Sequence, residues 1–121
     1  MKRVIIESPY AGDVRTHVAY AKLCVLDSLA RGESPYASHL FFTQPGLLDD
    51  TDPGERLKGI RAGLAWGEVA DLVAIYTDHG VTDGMRLGLR THRANGVPVV
   101  FRKVGQNDIE TPIPIPPEDS I

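Results

Sequence analysis

"DLVAIYTDHGVTDGMRLGLRTHRANGVPVVFR", residues 71–102, carries two strands and a helix together with the punctuation that fixes their type. "DLVAIYT" (71–77) is a nearly continuous apolar run, the pattern of a parallel strand covered on both faces. "TDHGVTDG" then brings glycines, a hydroxyl and acids together; Thr82 or Asp83 can cap the helix that Gly96 ends. "VPVVFR" (97–102) supplies the next strand. Strand, capped helix and strand make a β-α-β unit, and its crossover is right-handed.

Toward the N-terminus, "RVIIE" (3–7) is a β-branched run that breaks at "SPYAGD", a buried strand followed by a loop. From Asp13 the pattern turns helical, with Val18, Ala21, Val25 and Leu29 at helical spacing and Gly32 as the closing cap. "SPYASHLFFTQPG" (34–46) holds the second strand, with either "PYAS" or "HLFF" as the extended part. Asp52 can cap the next helix, with Pro53 at its first position and Glu55 three residues after the cap. Leu57, Ile60 and Leu64 continue its apolar face.

The order β-α-β-α-β-α-β predicts an α/β fold with a four-stranded parallel sheet. The expected strand order is 2-1-3-4, the flavodoxin-like arrangement, with helices on both faces. One domain over residues 1–104 is expected, followed by a proline-rich extended tail, 105–121. Its "ETPIPIPPEDSI" cannot join the sheet interior.

Composition narrows the class of partner. The chain has 121 residues, 42% hydrophobic and 24% charged, as in an ordinary soluble domain. A net charge of −3 without a basic stripe argues against a nucleic-acid polymer or an anionic membrane as partner. Cys24 is alone, so neither an intrachain disulfide nor a cysteine zinc site can form, in keeping with a reducing compartment. The run "VII" in "MKRVIIESPY" is too short for a signal peptide or a membrane span, so a cytoplasmic location is expected.

In an open parallel sheet, ligands bind beyond the carboxyl ends of the strands, where the strand order reverses. Order 2-1-3-4 puts that point between strands one and three, at "ESPYAGD" and "TDHGVTDGM". These are also the loops richest in glycine, hydroxyls and acids, so topology and composition select one place. Each leads into a helix N-terminus, where free amides favour an anion. Gly80 and Gly84 permit close backbone approach, and Thr82 can donate its hydroxyl. In either loop alone the glycines need serve only the turns and Asp83 only the cap, but facing one another across a switch point the two loops favour a polar ligand. Ser8, Tyr10, Gly12 and Asp13 are the matching candidates in the first loop. No G-x-G-x-x-G or P-loop is present.

Elsewhere, His39 suits either a hydrogen-bonding role at the edge of strand two or a structural one. Arg56 is unfavourable for the dipole at a helix start, which hints at another role, whereas capping explains Glu55. Trp66 suits packing or a subunit contact. His17, His39, His79 and His92 lack metal-ligand spacing, no serine or cysteine nucleophile motif is present, and no metal or other cofactor is expected.

The strings "SPYAGD", "SHLFFTQPGLLDD", "ER-KGI-AGLAW" and "IYTD-G---GMR-G" followed by "G-PV" resemble a group of small phage and actinobacterial proteins over residues 3–103. That group is similar to the nucleoside 2-deoxyribosyltransferase-like superfamily, which includes deoxynucleoside-monophosphate N-glycosidases. The resemblance implies a Rossmann-like sheet, a nucleoside or nucleotide ligand, and a homodimer or larger homo-oligomer whose subunits complete each other's sites. It also implies "PYAS" as the second strand, with His39 at its ligand-facing edge.

The enzymes of that superfamily use a Glu near the start of the helix after strand three, in a pattern like G-x-E-L-G, assisted by an Asp on the preceding helix. This chain reads "GMRLG". Arg86 takes the Glu position when aligned forward, Gly88 when aligned back from Gly96, and Gly63 takes that of the Asp. Met85 and Arg86 then remain as ligand-binding candidates, Arg86 suiting a phosphate. The acids left near the site are Asp13, Asp78 and Asp83, with Glu55 further off; Asp83 is the first choice for a relocated catalytic acid and Asp78 the second. The expected function is nucleoside or nucleotide handling, as a diverged N-glycosidase or deoxyribosyltransferase. The alternatives are a non-catalytic binder of a nucleotide-derived metabolite and an oligomeric scaffold with a vestigial pocket.

Overall fold

The computed structural model describes residues 1–109. Arg3–Glu7 forms β1, Val14–Ala30 α1, Ser34–Tyr36 β2 and Ser38–Phe41 α2; Pro53–Ala65 forms α3, Leu72–Tyr76 β3, Asp83–Ala94 α4 and Val99–Arg102 β4. A 3-10 turn, Trp66–Glu68, follows α3. All strand pairings are parallel, and the order is β2-β1-β3-β4. The expected α/β architecture is therefore the one observed.

Strand alternation divides the core between the two faces of the sheet. Val4, Ile6, Ala74 and Tyr76 pack with Tyr20 and Cys24 of α1 on one face. Ile5, Val73, Ile75 and Phe101 pack with Met85 and Leu89 of α4 on the other. Every residue of β3 is buried, as its unbroken apolar run requires.

Local details depart from the sequence pattern. The buried stripe of α1 is Tyr20, Ala21, Cys24 and Ser28, while Leu29 is 52% exposed. Polar groups occupy that stripe because partners meet them: Tyr20 donates to Asp78 at 2.6 Å and Ser28 to Glu33 at 2.8 Å. The second strand is Ser34–Tyr36, and "PYAS" is extended only in part. Phe41 N–H donates to the Ala37 carbonyl at 3.0 Å and Phe42 N–H to that of Ser38 at 2.9 Å, so the chain coils into α2 and His39 lies on a helix rather than a strand edge. On α3, Asp52 caps as expected, accepting from Gly54 N–H and Glu55 N–H, but Leu57 is exposed.

Residues 105–109, placed with the tail on composition, fold back on β4. Ile109 N–H donates to the Phe101 carbonyl at 2.9 Å, and Asp108 binds the buried Arg102 at 2.6 Å. Glu33 holds the other side of the same guanidinium at 2.8 Å. Residues 110–121, which contain the proline-rich run, lie outside the described residues.

Candidate functional site

A cavity of about 540 Å³ opens beyond the carboxyl ends of β1 and β3, at the reversal of strand order. The loop after β1 forms one wall, the first turns of α4 another, and α2 and α3 close over it. Its size lies within the range of small-molecule sites. Phe42, Ile60, Leu64 and Met85 give it an apolar floor; Ser8, His39 and Thr82 supply hydrogen-bonding groups.

Ser8 is buried, and its Oγ lies 2.7 Å from His39 Nε2. Burial pushes His39 down to about 4, so the ring is neutral at physiological pH and the pair is a hydroxyl–imidazole hydrogen bond rather than an ionic contact. The Tyr10 ring meets His39 edge-on at 6.5 Å. His17 Nδ1–H donates to the Tyr10 carbonyl at 2.9 Å and pins this loop, and Gly12, at φ +91°, makes a turn that a side chain would strain. On the opposite wall, Thr82 caps α4 by accepting from Met85 N–H at 3.3 Å. Gly84 leaves the helix face open, since a Cβ there would have nothing nearer than Thr82 Oγ1 at 4.0 Å. Arg56 joins the lining with its guanidinium 3.9 Å from Asp50.

Thus Ser8, Tyr10, Gly12, His39, Arg56, Thr82, Gly84 and Met85 are brought together around one cavity, and Asp83 stands at its edge. Four other candidates are placed outside the lining. Asp13 caps α1 through Thr16, which with its own hydroxyl contact holds the carboxyl below the usual range. Asp78 is committed to the Tyr20 hydroxyl and to Val104 N–H. Gly80, at φ +83°, serves the turn. Arg86 turns back to Asp83 at 3.2 Å, an exposed pair in which the Asp83 side chain is 90% accessible.

The sequence pattern missed Glu7. It closes β1 on the same face as Ile5, which points it toward α4, and it lines the cavity with its side chain only 17% exposed. Burial pushes its carboxyl up to about 8. His92 Nε2 lies 3.8 Å from Glu7 Oε1, and burial lowers the pKa of that histidine, leaving it neutral. The carboxyl fits because α4 has no side chain opposite it: a Cβ on Gly88 would lie 2.5 Å from Glu7 Oε1 and 2.7 Å from Cδ. Gly63 on α3 is filled in the same way, by the side chain of Ser38. The available signal was the spacing of Gly84, Gly88 and His92, which puts two glycines on one helical face.

A family model described as a domain of unknown function, DUF7768, matches residues 2–102. The chain belongs to the DUF7768 family. No curated protein matches this DUF7768 chain. Among solved structures, it is similar to a 2-deoxyribosyltransferase from Bacillus psychrosaccharolyticus, at 17% identity and a TM-score of 0.61, over 87% of this chain and 75% of that one. That similarity establishes a shared fold. Among the described residues of the DUF7768 chain, no three His, Cys, Asp or Glu are grouped to hold a metal, and no helix is long and apolar enough to cross a membrane.

Proposed function

We propose that this chain binds a nucleoside or nucleotide in the cavity between β1 and β3 and acts on its N-glycosidic bond. The observation that carries the reading is the cavity itself: about 540 Å³, with an apolar floor for a base and polar groups from both switch-point loops for a sugar. The shared fold with a 2-deoxyribosyltransferase supports the reaction class. The Ser8 hydroxyl, held by His39 Nε2, keeps hydrogen-bonding capacity for a sugar hydroxyl.

The test is a thermal-shift panel of nucleosides and their 5′-monophosphates, followed by chromatography of released base. A ligand must raise the melting midpoint by mass action, and Gly84→Val, which projects into the lining from α4, must abolish that rise in a folded protein. An unchanged rise would remove the cavity as the site. The proposal includes self-association, supported by the exposed rings of Phe41 and Trp66 beside Tyr36. Light scattering at micromolar concentration should give a mass of two chains or more, and a pure monomer would refute it.

A further inference from the structure

We infer that Glu7 is the proton donor to the leaving base, and that Gly88 is the vacancy in α4 that lets its carboxyl reach the ligand. The inference rests on the proposed pocket and assigns its chemistry. Three observations converge on it. Glu7 lines the cavity at the carboxyl end of β1, next to the loop that carries Ser8. No hydrogen bond or cation within the described residues consumes its carboxyl, and the His92 imidazole 3.8 Å away is neutral. The space it occupies is the space that any side chain at 88 would need, since a Cβ there would lie 2.5 Å from Oε1 and 3.0 Å from Oε2.

Asp83 and Asp78 lack this combination. Asp83 is almost fully exposed at the rim, and Asp78 is held by Tyr20 and Val104 outside the lining. A carboxyl that burial keeps protonated near neutral pH is a general acid, the form needed to protonate a departing base.

The step balances as a hydrolysis. The C1′–N bond breaks and its electron pair stays with the base, while the Glu7 carboxyl gives its proton to a ring nitrogen of that base. Water forms the new C1′–O bond, and its proton returns to the Glu7 carboxylate. The products are free base and free sugar or sugar phosphate, with no redox change.

The ionisable groups around the carboxyl are His92 on α4 at 3.8 Å and, lining the cavity, Tyr10, His39, Asp50, Glu55, Arg56 and Asp83. His39 is neutral through burial. Base release should therefore be flat below about pH 7 and fall as pH rises past about 8, where Glu7 gives up its proton.

The experiment compares wild type, Glu7→Gln and Gly88→Ala by three measurements: base release over the nucleoside and nucleotide panel, the ligand-induced thermal shift, and a carbon-13 carboxyl titration with labelled glutamate. Glu7→Gln should keep the thermal shift and lose base release at least about 100-fold. Gly88→Ala should displace the carboxyl, lose release similarly, and move the Glu7 titration back toward the ordinary range. Release within a few-fold of wild type in either variant overturns Glu7 as donor while leaving the pocket in place. A Glu7 resonance that titrates below pH 5 in the wild type also overturns it, without reference to any ligand. A wild type that neither shifts nor releases base with any panel member overturns the pocket reading, and this inference falls with it.

Discussion

Glu7 illustrates how one side chain can set a pH response. Its folded carboxyl titrates at about 8 against an ordinary value of 4.5, because burial disfavours the ionised form. Between those values the native state holds a proton that the unfolded chain has released, so stability falls as pH rises through the window. Glu7→Gln stays neutral and escapes this slope. Urea unfolding should show the variant gaining about 2–5 kcal/mol on wild type between pH 5 and pH 9. A constant difference would mean that the carboxyl is solvated in the native protein. The sequence hid this residue because "RVIIE" reads as a strand whose terminal acid belongs to solvent. What makes it a cavity group is the absence of a side chain at Gly88, distant in the chain and adjacent in space.

At the scale of elements, the glycines of α3 and α4 are close-approach positions with different consequences. At Gly63 the neighbour is Ser38, a short side chain at the start of α2, so an added methyl must push the two helices apart. Gly63→Ala should cost about 1–3 kcal/mol, measured by urea denaturation. At Gly88 the neighbour is the flexible end of Glu7, and Gly88→Ala should keep the fold while rearranging the site. The Asp52 cap tests a purely local feature: it accepts from two backbone amides at the start of α3. Asp52→Ala should lower stability by about 1 kcal/mol, visible as a lower urea midpoint at unchanged slope.

Across the whole molecule, Arg102 ties β4 to the segment after β2's neighbour α1 and to the end of the described chain. Its guanidinium is buried and bonds Glu33, Asp108 and the Tyr76 hydroxyl. Asp27 joins the network through Tyr76 and Arg31. Burial opposes ionisation of Glu33, but hydrogen bonds from Arg102 and Ser28 outweigh it and hold the carboxyl below its usual range. Asp27 behaves alike: burial is outweighed by Tyr76, Arg31 and the Gly105 amide. Groups with depressed folded values contribute stability above the ordinary carboxylate range and lose it as pH falls through that range, near 4 and below. Arg102→Ala leaves the partly buried Glu33 without its guanidinium partner and should cost about 2–4 kcal/mol at pH 7, with a shallower loss on acidification. Unfolding free energies at pH 7 and pH 3 check both statements.

Sequence pattern alone specified the alternation of strands and helices, the parallel sheet and its switch point, because periodicity, caps and glycine stops are local signals. It also selected the two loops that meet at the cavity, since their composition and the strand order agree. The folded structure settled which acids line the cavity. Asp78 and Glu7 both sit at strand ends, yet a tyrosine from α1 claims the first while a glycine on α4 makes room for the second. It likewise decided that His39 reaches the cavity from a helix, and that Tyr20 and Ser28 are buried where apolar residues were expected. Local pattern fixes which face of an element is able to pack. The identity of the group packed against that face depends on residues distant in the chain, and only folding brings them together.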